Sequence, residues 1–272
     1  MKMLNGKELA EFIKERQGRE VRTLRQSSHI APKLAIVVTV ENPVIDVYMR
    51  MKQAYGEDIW IDTEVFRVTQ SDAIATIQKL NQDPLIHGII VQLPLEDPAQ
   101  TEEILNSVAP EKDVDGLGKD AVLDPATPMA IMWLLAAYNI DLKLGKKVLL
   151  IGRGKLVGAP LERILLASGV DVSVADRETA DLKAVALESD IIITATGSPA
   201  ILFPEMVKLG AVVVDAGTAS ESGKIVGDVA PEMYDRDDLT VTPTRGGVGP
   251  LTVCALFENT IRAAQNSTKK QA

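Results

Sequence analysis

The feature that most constrains this chain is a short apolar run, Val148, Leu149, Leu150 and Ile151. It stops at Gly152-Arg153-Gly154-Lys155-Leu156-Val157-Gly158 and passes into a stretch with helical spacing. A glycine-rich turn between a buried strand and a helix brings backbone N–H groups to a helix N-terminus, where a pyrophosphate is stabilised. The spacing is GxGxxxG, one residue longer than the commoner dinucleotide pattern, and alone the match is weak. Its surroundings strengthen it. A second apolar run ends at Asp176, where a dinucleotide fold places the group that faces the adenosine ribose. The competing reading is a tight turn in an α/β domain that holds no nucleotide. Asp176 accepting from a ribose 2′-hydroxyl favours NAD, whereas Arg153 and Arg177 pairing with a 2′-phosphate favour NADP.

The rest of the chain has the same texture. Residues 34–40 read as a buried strand, 44–55 and 71–80 as helices, and 88–92 as a second buried strand ending in Leu93-Pro94-Leu95. Ser71 is the expected cap of the helix at 71–80. Turn formers crowd residues 113–128, which marks a domain boundary, and 128–139 read as a buried helix. Strands at 148–151, 170–175, 191–195 and 211–215 alternate with a helix at 156–168. Their continuous apolar character is that of strands covered on both faces. A last helix, 251–264, follows the glycine-rich stretch 246–249, and the polar tail from Gln265 is expected to fray. The class is α/β with parallel sheets.

Composition narrows the function classes. The 272 residues suit one large domain or two ordinary ones, and 46% hydrophobic with 25% charged residues is ordinary for a globular chain. A formal charge of −9 without a basic block argues against nucleic acid and anionic membrane as partners. The single cysteine, Cys254, excludes an intrachain disulfide and reads as buried filler. His29 and His87 form no metal-ligand pattern, so no metal is expected. The apolar runs are too short to span a bilayer, and Lys7, Glu8, Glu11, Lys14 and Glu15 stand where a signal peptide needs apolar residues. A cytoplasmic protein is expected.

Polar residues in the first half form a candidate site. Tyr48 and Lys52, four apart, share a face of one predicted helix. By itself such a pair is most simply a surface lysine beside a half-buried tyrosine. Gln92 ends a buried parallel strand, the place where α/β sheets bind ligands. Asp113-Val114-Asp115-Gly116 is an acidic turn whose plain reading is an Asp-Gly turn.

Together with the segments ENPVIDVYMRMK (41–52), GIIVQLPL (88–95), PEKDVDG (110–116), GKKVLLIGRGKLVGAP (145–160), SDIIITATGSP (189–199), GAVVVDAG (210–217), VGDV (226–229) and TPTRGGVGPLTVCALFENT (242–260), these residues resemble a known family. It is that of the bifunctional methylenetetrahydrofolate dehydrogenase/methenyltetrahydrofolate cyclohydrolases, the FolD-type enzymes. The segments fall in family order over nearly the whole chain, and VQLPL, KDVDG and GGVGPLT are together highly specific.

The resemblance implies two domains and two reactions. Residues 1–122 would be an N-terminal α/β catalytic, folate-binding domain and 123–250 a Rossmann NAD(P)-binding domain. The helix from 251 would return to the first domain, with the substrate in a cleft between the two. Hydride passes from 5,10-methylenetetrahydrofolate to the nicotinamide, and the methenyl cation is then hydrolysed to 10-formyltetrahydrofolate. Lys52 matches the catalytic lysine, Tyr48 the tyrosine that stacks on the substrate, Gln92 the lysine's partner, and Asp115 the pterin-binding carboxylate. Leu93, Gly247, Gly249 and Pro250 would complete the folate site. Gly152, Arg153, Gly154, Gly158, Asp176, Arg177, Gly197 and Thr218 would hold the cofactor, with the family's habit tilting the choice to NADP. A homodimer through the Rossmann domain is also implied.

The chain departs from the family in places. Gly154 replaces a serine of the phosphate turn, Ala175-Asp176 replaces a Cys-His-type pair, Arg245 precedes the glycine pair, and Ala126 and Ala130 are further changes. The segment between Asp115 and Pro128 is short, which is read as a trimmed surface loop. Asp176 would repel a 2′-phosphate. Two rival readings stay open: a dehydrogenase with weakened cyclohydrolase, motivated by Arg245 and the short segment, and a non-catalytic nucleotide-binding protein.

Overall fold

The computed structural model describes residues 1–143, 145–221 and 224–269. The first part of the chain runs β1 (Lys2–Met3), α1 (Gly6–Ser27), β2 (Lys33–Val38), α2 (Pro43–Asp58), β3 (Asp62–Arg67), α3 (Gln70–Gln82), β4 (Gly88–Val91), α4 (Thr101–Asn106) and α5 (Ala126–Ala137). It continues with β5 (Val148–Ile151), α6 (Gly158–Ala167), β6 (Val172–Ala175), α7 (Leu182–Glu188), β7 (Ile191–Thr194), β8 (Val212–Asp215), β9 (Ala219–Glu221), β10 (Lys224–Val226), β11 (Thr240–Val241) and α8 (Val248–Lys269). Two compact units emerge: Glu11–Ala126 with the chain from Val253 onward, and Met1–Ala10 with Thr127–Thr252.

The unit built on Glu11–Ala126 holds a parallel sheet in the order β3-β2-β4. Central β2 is apolar from Leu34 to Val38 and β4 is buried at every position, as strands covered on both faces must be. Ala73, Ile77 and Leu80 of α3 pack with Ala35, Val37, Ile89 and Val91 into one core. In the same unit α8 lies against α1. Gln17 donates to the Cys254 carbonyl at 2.8 Å, Arg16 pairs with Glu258 at 2.7 Å, and Tyr55 stacks on Phe257 with centroids 5.0 Å apart. Cys254 is buried there as expected.

The other unit holds a six-stranded sheet in the order β1-β11-β8-β7-β5-β6, with every named pairing parallel. β5 and β7 are fully buried, while β6 is an edge strand whose residues are mostly part-exposed. The chain leaves β5 for β6 on one side and returns to β7 on the other. That reversal places a topological switch point between the carboxyl ends of β5 and β7.

Several expectations change. β3 was read as part of the interval between two helices. It alternates exposed and part-buried residues at a sheet edge, so it lacks the continuous apolar signal of β2. α3 starts at Gln70 with Thr69 as its cap, so Ser71 lies inside the first turn; Thr69 Oγ1 bonds Ser71 Oγ at 2.9 Å and Asp72 Oδ2 at 2.7 Å. α1 escaped notice because charged residues dominate its composition, although Leu24, Val21, Gln17, Ile13 and Ala10 form a buried stripe along it. The fraying expected from Gln265 does not begin there: α8 runs on to Lys269, and 270–272 lie outside the described residues. Met1–Ala10 belong with the second unit because β1 extends its sheet beside β11. No helix among the described residues is long and apolar enough to cross a membrane.

Candidate active site

The first cluster forms where β2 and β4 end. β2 is flanked by β3 on one side and β4 on the other, so the carboxyl ends of β2 and β4 bracket a second switch point. Gln92 follows β4 directly, with its backbone N–H bonded to the Val37 carbonyl at 2.9 Å. Its side chain donates to the Leu93 carbonyl at 2.7 Å, which turns its own oxygen toward Lys52; Lys52 Nζ donates to Gln92 Oε1 at 2.9 Å. Leu93 is joined to Pro94 by a cis peptide bond. Tyr48, one turn before Lys52 on α2, is half-buried. At the end of β2, Thr39 Oγ1 is buried with no hydrogen-bond partner.

The KDVDG turn supplies the carboxylate. Lys112 donates to the carbonyls of Leu80, Asn81 and Asp83 at 2.7–3.1 Å, which satisfies the open end of α3. Asp113 is buried and accepts the Gly116 and Gly118 N–H groups at 2.9 and 2.7 Å. The Ile89 N–H bonds the Lys112 carbonyl at 2.7 Å, tying the turn to β4. From α8, Asn259 Nδ2 donates to the Val114 and Asp124 carbonyls at 2.9 and 2.8 Å, closing the loop from behind. Asp115 is thereby held within electrostatic reach of Lys52.

Burial dominates the electrostatics. It pushes the Lys52 ammonium below the ordinary lysine range, with Asp115 opposing the shift. It pushes the Asp115 carboxyl up, with Lys52 pulling it down and Asp113 pushing it up. The Tyr48 phenol is raised by burial alone. An amine with a weakened hold on its proton, oriented by an amide and faced by a carboxylate, is equipped to move protons.

The second cluster lies on the six-stranded sheet. Gly152 has φ +102°, donates its N–H to the Ala175 carbonyl at 2.8 Å, and leaves no room for a Cβ, which would stand 2.7 Å from the Ala195 carbonyl oxygen. Gly158 opens α6 so close to the Gly152 carbonyl that a Cβ there would collide with it. Both constraints fit a dinucleotide turn, in which backbone must approach a pyrophosphate at a helix N-terminus. Gly154 faces open space, so the serine lost there is no packing requirement. Arg153 forms a two-pronged pair with Glu162.

Gly197 and Thr218 follow β7 and β8 on loops held by two aspartates. Asp215 Oδ1 accepts from Thr194 Oγ1, the Gly217 N–H and the Asp228 N–H at 3.2, 2.9 and 3.1 Å. Asp228, wholly buried, accepts the Thr196 N–H through Oδ2 at 2.7 Å, while its Oδ1 has no partner. Burial, with Asp215 adding to it, pushes Asp228 above the ordinary carboxylate range. Gly247, Gly249 and Pro250 belong to this same unit, around the start of α8; the Lys7 N–H bonds the neighbouring Gly246 carbonyl at 2.9 Å.

The structure thus gathers Tyr48, Lys52, Gln92, Leu93 and Asp115 on one unit and the expected nucleotide residues on the other. Sequence reasoning assigned no individual role to Lys112, Asp113, Asn259, Asp215, Asp228 or Glu162. Five of the six stand inside or beside the family-like segments but carry their weight through backbone groups, which a one-dimensional reading does not show.

A glycine turn with room for a dinucleotide on one unit and a Lys–Gln–Asp cluster on the other fit the class of two-domain nicotinamide-dependent dehydrogenases. Comparison with known proteins gives the family. Residues 4–115 match the tetrahydrofolate dehydrogenase/cyclohydrolase catalytic domain, and residues 125–268 match the NAD(P)-binding domain of the same family. The bifunctional protein FolD of Campylobacter jejuni is 40% identical over 281 residues, covering 98% of this chain and 99% of that protein. The crystal structure of the Campylobacter jejuni bifunctional enzyme superposes with a TM-score of 0.90 at 39% identity, over 98% of this chain and 99% of that one. The Trypanosoma brucei enzyme, complexed with NADP and an inhibitor, gives 0.90 at 28% identity over 98% of each chain. The chain belongs to the tetrahydrofolate dehydrogenase/cyclohydrolase family.

Proposed function

We infer that this chain carries both activities for which its family is named. It oxidises 5,10-methylenetetrahydrofolate to the methenyl form with NAD(P) and hydrolyses that to 10-formyltetrahydrofolate. The observation that carries the reading is the 2.9 Å bond from Lys52 Nζ to Gln92 Oε1, with Asp115 acting on the same amine.

Bound NAD(P) supplies the hydride acceptor. Gly152, Gly154 and Gly158 would bring backbone to its pyrophosphate, and Asp176, Gly197 and Thr218 would border it at the ends of β6, β7 and β8. Asp115 would accept the adjacent N–H donors of the pterin amino-pyrimidine edge, two charge-assisted bonds that fix the substrate's register. Tyr48 would stack on the substrate, and the Thr39 hydroxyl offers a further polar contact. In the second step water adds to the methenyl carbon and Lys52 accepts a proton from it. When the carbon–nitrogen bond opens, the departing pterin nitrogen gains a proton and the formyl group forms, with one proton released overall. The lowered pKa of Lys52 suits this traffic, and the cationic substrate beside it would lower it further. Gln92 keeps the amine aimed.

We assign folate binding to the unit of Glu11–Ala126 and nucleotide binding to the other. We also propose a homodimer through the nucleotide-binding unit. Support comes from β6, an open sheet edge, and from Leu166 on neighbouring α6, which is 56% exposed. Light scattering tests it: a 1:1 mass at micromolar concentration removes it. A cytoplasmic site of action accords with a single cysteine and a nicotinamide-dependent reaction.

The experiment is a spectrophotometric assay with 5,10-methylenetetrahydrofolate that follows reduced cofactor and methenyl absorbance together. Reduced cofactor appearing in step with 10-formyl product is the expected result. Methenyl accumulation at full stoichiometry would reduce the chain to a dehydrogenase, and no turnover from folded protein would remove the reading.

A further inference from the structure

The adenosine end of the nucleotide turn carries opposite charges, and the structure gives them different fates. Asp176 follows Ala175, whose carbonyl accepts the Gly152 N–H, so its backbone is tied to the first glycine of the turn. The Asp176 N–H donates to Thr179 Oγ1 and its Oδ1 accepts the Glu178 N–H, both at 2.9 Å. The first bond holds the backbone and the second holds one carboxylate oxygen of an otherwise exposed residue. Arg153, by contrast, sends Nε and Nη2 to the two oxygens of Glu162 at 2.8 and 3.0 Å. The Glu162 side chain is 16% exposed and anchored on α6, so the Nε–Nη2 edge of the guanidinium is already occupied. An incoming 2′-phosphate would meet a fixed carboxylate and would compete with Glu162 for Arg153.

We propose that this chain selects NAD over NADP. Asp176 accepts from the ribose 2′-hydroxyl and rejects a 2′-phosphate, and Glu162 withholds Arg153 from that phosphate. The inference rests on the nucleotide-binding role of the turn at 152–158 proposed above. It reverses the tilt toward NADP that the arginines and the family's habit gave to the sequence. Arg177, the next residue of the turn, is the cation that would contest it.

Titration calorimetry of the full chain with NAD and with NADP reads binding without turnover. NAD is expected to bind at least about tenfold more tightly, because a phosphate and a carboxylate forced together repel strongly. Asp176→Ser is expected to remove most of that ratio. Asp176→Asn, which keeps the acceptor for the Glu178 N–H, is a second variant should the turn need it. Glu162→Gln is expected to strengthen NADP binding about two- to fivefold, the scale of a surface ion pair, with NAD unchanged. Equal or tighter NADP binding by the native chain overturns the proposal. So does a ratio that survives both Asp176 variants, or one that collapses only in Arg177→Ala. Turnover assayed in parallel separates the two claims: turnover that favours NADP overturns this inference and upholds the activity, whereas NAD-selective binding without turnover supports it and removes the activity.

Discussion

At the scale of single residues, the site depends on how hard each group holds its proton. Lys52 is the test case. Its folded pKa lies below its ordinary value, so between the two values the folded chain binds fewer protons than the unfolded one. Stability therefore rises with pH toward the ordinary lysine range, and a neutral amine appears at lower pH than in a free lysine. Lys52→Met is expected to lower hydrolysis of the methenyl substrate by 10² or more, the scale of a lost general acid–base group, while nucleotide affinity by calorimetry stays within about twofold. Unchanged hydrolysis would end the role given to Lys52. Asp115 raises the Lys52 pKa, so Asp115→Asn is expected to shift the lysine limb of the residual pH–rate profile to lower pH. An unmoved limb would show that the two groups are not coupled. Asp228 has the opposite sign. Its folded pKa is raised, so the native chain loses stability as pH rises from the unfolded carboxylate value through the folded one. Asp228→Asn does not titrate, so its melting temperature relative to native protein is expected to improve as pH rises above the unfolded carboxylate value.

At the scale of elements, short loops are shaped by distant partners. The loop that carries Asp115 is held by Asn259 of α8, whose single amide satisfies two carbonyls. Asn259→Ala would leave both without that donor, at a cost of about 1–3 kcal/mol. Chemical denaturation should show that loss, and the KM for folate should rise more than kcat falls, because positioning is damaged rather than chemistry. A drop confined to kcat would contradict this. The nucleotide turn has its own test. Gly158→Ala places a methyl group against the Gly152 carbonyl, so nucleotide affinity should fall sharply while Gly154→Ala, facing open space, costs little. Element boundaries were legible where a single rule applied. β5 and β7 stood out as unbroken apolar runs. β3 did not, because an edge strand exposes half of its side chains.

At the scale of the whole molecule, each unit recruits sequence from far away. Met1–Ala10 join the nucleotide-binding unit through β1, which pairs with β11, while the chain from Val253 onward joins the other unit. Deleting the first five residues would uncover the β11 edge and remove the bond from the Asn5 N–H to the Tyr138 hydroxyl at 2.8 Å. A lower melting temperature with the folate site's pH profile unchanged is the expected result, and a changed profile would argue against it.

The amino-acid sequence by itself determined the α/β class, and it singled out the glycine turn at 152–158 and Tyr48, Lys52, Gln92 and Asp115 as candidates. Apolar runs, glycine spacing and motif order are local or one-dimensional signals, and they survive being read along a line. Tertiary structure alone decided what those residues experience. The shifted proton affinities of Lys52 and Asp115 come from burial that only the packed unit creates. The support of the Asp115 turn by Lys112 and Asn259 runs through backbone atoms of segments distant in sequence. Arg153 is a cation ready for a phosphate in the sequence; in the folded chain it is the partner of Glu162, because α6 brings that carboxylate back over the turn.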